Sequence, residues 1–249
     1  MRMVAAVVSV GLLVGTSLSG NHLNPRSSVG AVAPPQSVES VLARAADSVG
    51  GAKRLQAIDR LRISVVEKQS RPPITLRSRI LKLWLPDRFQ NSLPGLVTHT
   101  LHGTRLTFDR DVSPEIRENA ERSIPGMFRR VALTFLLRGP GLGRPRLAGD
   151  ATIGGMSGTV VEFPTPGGSP VKMLFAKDSG QPLAVIVPVR ATGSTEAFPD
   201  QVWRIEDYRT VGGVRFPHRL TILHPENLQI TEVQQIDVNP PFTAKDFSQ

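Results

Sequence analysis

The sequence predicts an α+β fold, an incomplete, half-open antiparallel β-barrel wrapped around helices that line or lid an apolar cavity. Three observations carry that expectation. Most of the chain beyond residue 60 consists of short segments alternating apolar and polar residues, with Asn, Gly, Pro or Asp between them. Two of these segments, 202–211 and 214–223, flank Gly212-Gly213, which supplies positive φ for a tight primed turn and so makes an antiparallel hairpin. One helical segment after residue 113 carries an apolar stripe wide enough to cover a sheet face. A long antiparallel run that curls without closing, lidded by such a helix, is a half-barrel; the space between sheet and helix is then a packed core or a cavity, since both want Leu and Phe pointing inward. With 249 residues and 40% apolar side chains, the chain has ample material for a core, which excludes wholesale disorder.

The elements follow in order. Arg2 precedes an uncharged apolar stretch from Met3 to Leu18, the charged start and short greasy middle of a secretory signal. Ser17 and Ser19 are small residues at the −3 and −1 positions, so residues 1–19 are expected to be removed as a signal peptide. Ala31-Val32-Ala33 is a second cleavage candidate, weakened by Pro34. An uncleaved anchor is the alternative, since a span needs roughly 20 apolar residues. Either way the rest of the chain lies outside the cytoplasm, in the periplasm or otherwise exported. Residues 20–37, with three prolines and few large apolar groups, read as a flexible linker before a single domain over 38–249.

Ser37 is a candidate N-cap for a helix whose stripe is Val38, Val41, Leu42, Ala45, Ala46 and Val49, and Gly50-Gly51 stops it. Residues 52–58 make a second, shorter helical turn, and Leu61–Val65 begins the strands. Leu76–Leu85 places Leu81, Leu83 and Leu85 on one face with Arg79. Further strands are expected at 96–101, 105–108, 158–163, 171–175, 183–189 and 228–238, besides the two of the hairpin. Ser113-Pro114-Glu115 opens the long helix as N-cap, first-turn proline and dipole-favoured acid. Its stripe is Ile124, Phe128, Val131 and Phe135, widened by Met127, Ala132 and Leu136. Pro125-Gly126 should kink it or split it in two. Residues 139–145 then form a Gly/Pro loop.

Charge and chemistry narrow the function. Residues 60–150 hold 17 basic and 8 acidic groups, so this one segment accounts for the whole net charge of +9. Nucleic acid is a poor partner for it, because only 5% of the chain is aromatic and the cations are not interleaved with stacking rings. An anionic membrane surface suits the charge better. The absence of cysteine excludes disulfides, thiol nucleophiles, Cys-ligated zinc, iron–sulfur clusters and a lipid-modified N-terminal cysteine.

No catalytic constellation emerges, and no metal or cofactor is expected. Gly155-Met-Ser157-Gly158 misses the nucleophile-elbow pattern by one position, and a Gly/Ser turn is the simpler reading. His99 and His102 lie three apart on a strand and face opposite sides. His218 falls on the apolar side of its strand, the position of a core histidine. The remaining enzyme reading is an exported hydrolase with an unrecognised site around Ser157, His218 or His224. A structural envelope protein without ligand is the third alternative.

Four stretches carry a resemblance. Val41–Ile63, with its helix, double glycine and strand, resembles the opening of the bacterial outer-membrane lipoprotein-sorting proteins, the LolA/LolB-like carriers. Leu81–Phe89 is similar to that family's second strand and turn, Asp207–Ile222 to its late hairpin, and Val238–Phe247 to its closing segment. The resemblance implies an incomplete barrel enclosing an apolar cavity for acyl chains, and a non-enzymatic carrier or sensor of lipids or lipoproteins. Its partners would be those acyl chains, the membrane surface transiently and an envelope membrane protein, with the carrier itself a monomer. On that reading Phe128, Val131, Phe135 and Leu136 of the long helix meet Leu83 and Phe216 of the sheet across the cavity. Arg122, Arg129 and Arg130 would ring its mouth and attract anionic head groups.

Overall fold

A computed structural model describes residues 36–69, 76–166, 168–187, 200–223 and 228–248. The expected signal peptide, nearly all of the linker and His224 lie outside the described residues. Ser37 caps α1 (Val38–Ser48), its hydroxyl accepting from the Ser40 amide at 3.1 Å. A short α2 (Ala52–Gln56) follows the Gly50-Gly51 stop. Five strands come next: β1 (Arg60–Gln69), β2 (Leu76–Trp84), β3 (Arg88–Leu93), β4 (Val97–His102) and β5 (Arg105–Phe108). After α3 (Pro114–Leu136) come β6 (Arg146–Ile153), β7 (Met156–Thr165), β8 (Gly168–Phe175) and β9 (Pro182–Val187). The chain then runs through β10 (Gln201–Val211), β11 (Val214–Leu223), β12 (Gln229–Val238) and a 3-10 turn at Ala244–Phe247.

The strands form one 12-stranded sheet in the order β5-β4-β3-β2-β1-β12-β11-β10-β9-β8-β7-β6. Its described ladders are antiparallel. This is a continuous meander whose first and last strands pair in the middle. The two edges, β5 and β6, are consecutive in the chain, and α3 is the segment between them. The barrel is therefore open where the helix is inserted, and the expected half-barrel is the observed one.

Two double-glycine turns meet. Gly212 and Gly213 both have positive φ and join β10 to β11 with Val211 opposite Val214. Gly50, at φ 120, abuts them, and a Cβ there would lie 2.6 Å from the Gly213 carbonyl oxygen. The end of α1 is tied to the same hairpin: the Arg215 amide donates to the Val49 carbonyl at 2.8 Å, and its guanidinium to the Ser48 carbonyl at 3.0 Å. These bonds satisfy carbonyls that the end of a helix leaves without donors.

One of the two outcomes expected at Pro125-Gly126 falls, and two strands were missed. The long helix does not split at Pro125; α3 is continuous over 23 residues. A proline withdraws one backbone bond and costs roughly 3 kcal/mol. Here the carbonyl left without a donor belongs to exposed Glu121, where water can replace the bond, and seven buried residues of α3 hold it against the sheet. Strands β3 and β6 were not anticipated. In β3 the buried Gln90 and Asn91 disguise the alternation, and in β6 Gly149 and Asp150 weaken the strand pattern around a register shift.

Candidate functional site

The concave interior is built from two apolar clusters. In the larger, Ile124, Phe128, Phe135 and Leu136 of α3 pack with Leu61 and Ile63 of β1, Leu81 and Leu83 of β2, Phe89 of β3 and Phe216 of β11. The smaller joins Val41 and Ala45 of α1 and Leu133 of α3 to β7–β11. The expected site residues Leu83, Phe128, Phe135, Leu136 and Phe216 thus share one cluster, with partly buried Val131 packed against it. The helix and sheet touch directly. Phe128 stacks on Phe89 with ring centroids 5.1 Å apart, and Phe135 meets Phe216 at 6.3 Å. Phe89 escaped the sequence reading because its neighbours resemble a turn. The alternation of Phe89 with polar Arg88 and Gln90 was the signal available.

Two clefts mark the margins of this contact. One of about 180 Å³ lies beside Phe128, Leu101, Pro125 and Arg129, and another of about 140 Å³ beside Leu136, Leu42 and Leu55. Within the apolar wall sits a polar inset. The Arg79 guanidinium donates to Asn91 Oδ1 at 2.9 Å and to Glu67 Oε2 at 3.0 Å, and Asn91 Nδ2 lies 3.4 Å from His99 Nδ1. Burial lowers the His99 pKa, a direction partly opposed by its hydrogen bond with Asn91 and reinforced by nearby Arg79.

The three arginines expected at a cavity mouth occupy different surroundings. Arg122 is exposed and pairs with Glu118 at 3.2 Å, one helical turn away. Arg129 lines the cleft beside Phe128. Arg130 lies over the Trp203 ring at 5.8 Å, and burial pushes its pKa down to about 10, so it remains charged at neutral pH.

The hydrolase candidates are not assembled. Ser157 sits near the exposed start of β7, its hydroxyl 2.8 Å from that of Thr152. The preceding Gly154-Gly155 is a two-residue hairpin turn with Ile153 opposite Met156. His218 is buried on β11, its Nδ1 3.1 Å from the Phe216 carbonyl. Ser157 thus bonds a threonine and His218 a backbone carbonyl, and among the described residues no hydrogen bond joins the two. Among the described residues no group of three or more His, Cys, Asp or Glu side chains is placed to hold a metal ion.

No protein-family model matches the sequence, and no curated protein matches it. Solved structures do. A LolA superfamily protein from Nitrosomonas europaea aligns at TM-score 0.57 and 14% identity, covering 86% of this chain and 98% of that one. A Vibrio parahaemolyticus domain described as an outer membrane lipoprotein-sorting protein aligns at TM-score 0.50 and 13% identity, covering 79% and 94%. At such identities the likeness is one of fold: the chain carries the open half-barrel fold of the LolA superfamily.

Proposed function

We propose that the protein is an exported, non-enzymatic carrier or sensor that shelters the acyl chains of a lipid or lipoprotein between α3 and the concave face of the sheet. The observation that supports this reading is the way the barrel is left open. The edges β5 and β6 do not pair with each other, and α3 meets the sheet through an apolar face rather than through a backbone ladder. Such a lid is held by side-chain packing, and an acyl chain offers the same kind of contact. Each methylene taken from water contributes about 0.8 kcal/mol, whereas uncovering a large apolar side chain costs about 1.5–3 kcal/mol. A chain of about ten methylenes therefore offsets the displacement of two phenylalanines.

In this reading Leu83, Phe128, Val131, Phe135, Leu136 and Phe216 line the opened interior. Arg129 and Arg130, both on the side of α3 near the sheet, favour an anionic head group, and Arg122 adds to the field from the exposed side. The apolar N-terminal stretch supports export with cleavage near Ser19, followed by transient contact with a membrane surface and an envelope membrane protein. N-terminal sequencing of the exported form tests the cleavage.

The central test is extraction of the purified protein and mass spectrometry of the extract, beside binding of a fluorescent fatty acid. Bound lipid and saturable probe binding are expected. Val131→Trp should reduce probe binding at least about tenfold, by filling the interior. If the parent binds no acyl probe and carries no lipid, the carrier reading fails.

A further inference from the structure

We propose that the outer face of β3, β4 and β5 carries a second binding site, for the phosphate of a phosphorylated polyol. It lies on the opposite side of the sheet from the interior and stands whatever the interior holds. The site is a cleft of about 320 Å³ between these strands and the 3-10 turn. Its floor holds Arg88, His102 and Arg105, with Thr100 and Thr107 beside them, and Phe247 and Ser248 form the facing wall.

The register explains the concentration of charge. Arg88 pairs across the ladder with His102, and His102 with Arg105, so the three stand in one row across adjacent strands. At strand spacing the two guanidinium stems start roughly 10 Å apart with the imidazole between them, a separation that two arginine side chains close over a single tetrahedral anion. Thr100 and Thr107 are paired in the neighbouring row. Two guanidiniums flanking one imidazole in a cross-strand row are unfavourable unless something offsets them. Yet Arg88 and Arg105 pair with no carboxylate among the described residues. The nearest acids are otherwise engaged. Asp87 lies 3.2 Å from His102 Nε2, and Asp246 turns its carboxylate to the Thr243 amide and hydroxyl.

The cleft is also rigidly walled. Lys82 and Gln90 donate to the Asp246 carbonyl at 3.4 and 3.1 Å, which pins the turn to β2 and β3. Phe247 packs on Trp84 and Phe242. Trp84 is itself flanked by the Arg60 and Arg88 guanidiniums, each 4.5 Å from its ring, which orients Arg88 before any ligand arrives. The hydroxyls supply the polyol preference. Thr100 Oγ1 accepts from Gln90 and keeps its proton to donate, while Ser248 Oγ donates to the Lys245 carbonyl and keeps its lone pairs to accept. The volume exceeds what a bare phosphate fills and leaves room for a glycerol-sized group. A lipid head group and a soluble polyol phosphate share this chemistry.

The experiment titrates the full protein with glycerol 3-phosphate by calorimetry, with glycerol as the uncharged comparison. In parallel it measures co-sedimentation with vesicles of equal parts phosphatidylglycerol and phosphatidylcholine, against phosphatidylcholine alone. Variants are Arg105→Gln, which removes an exposed side chain without an ion pair, Arg88→Gln, and Arg62→Gln, which removes a charge from the same face outside the cleft. Saturable glycerol 3-phosphate binding, weakened at least about tenfold by Arg105→Gln and Arg88→Gln but not by Arg62→Gln, supports a soluble ligand. The same variant pattern seen only with phosphatidylglycerol vesicles supports a lipid head group. Binding of neither probe, or equal loss in all three variants, overturns the proposal.

Discussion

The two wings of the sheet share one ladder and differ on both faces. The wing β1–β5 has an apolar concave face under α3, interrupted by the Arg79–Glu67–Asn91–His99 inset, and a polar convex face carrying Arg60, Arg62, Lys82, Arg88 and Arg105. In the other wing the central strands β7–β9 are apolar on both. Val161, Met173 and Val185 face the interior, while Val160, Leu174, Ala184 and Ile186 form a separate buried cluster on the other side. A strand buried on both faces reads as an apolar run, and one with a solvated face alternates. The difference teaches where the basic excess belongs. Part of it falls within 60–150 because that stretch includes the wing with a polar convex face; α3 and the segment after it add Arg117, Arg122, Arg129, Arg130, Arg138, Arg144 and Arg146.

Charge insertion separates the wings most sharply. Leu174→Lys would bury an unpaired ammonium at a side chain with 0% exposure and should cost about 3–5 kcal/mol, a large part of an ordinary domain's stability. Ile80→Lys, on the partly exposed convex side of β2, should stay within about 1 kcal/mol. Urea unfolding of both variants checks this, and equal costs would abolish the distinction.

Truncation under the lid comes next. Phe128→Ala removes a ring stacked on Phe89 and should cost about 3–5 kcal/mol in the free protein. Phe135→Ala, against Phe216, should behave similarly, and an acyl probe should restore part of the loss if the ligand fills the void. A loss that the probe leaves untouched would mark this face as core alone.

The polar inset predicts a smaller, pH-dependent effect. The folded-state pKa of His99 lies below its ordinary value of 6.5, chiefly because burial disfavours the charged ring. As pH falls through 6.5 the unfolded chain takes up a proton that the folded one refuses, so stability is full above that pH and declines below it. Thermal unfolding between pH 8 and pH 5 should show the decline, and His99→Gln should flatten it. The smallest effect is expected at the edge of the other wing. Ser157→Ala, losing only an exposed contact with Thr152, should change stability by less than about 0.5 kcal/mol and leave acyl binding intact.

Local chemistry made much of this legible in the sequence. Caps, turns and strand alternation depend on residues a few positions apart. Ser37 and Ser113 therefore announced α1 and α3, and Gly212-Gly213 announced its hairpin at the observed register. The wide stripe of α3 identified its buried face, which shares one buried cluster with Leu83 and Phe216. What stayed hidden depends on partners far along the chain. Buried Gln90 and Asn91 look like turn residues until Thr100, the Asp246 carbonyl, Arg79 and His99 supply their bonds. Pro125 looks like a helix break until the sheet holds both halves of α3. The pairing of β1 with β12, which leaves the barrel open between β5 and β6, and the row Arg88–His102–Arg105 follow from cross-strand register. Spacing along one strand carries the period of its side chains but not the identity of its neighbour, so only the assembled sheet decides which charges stand together.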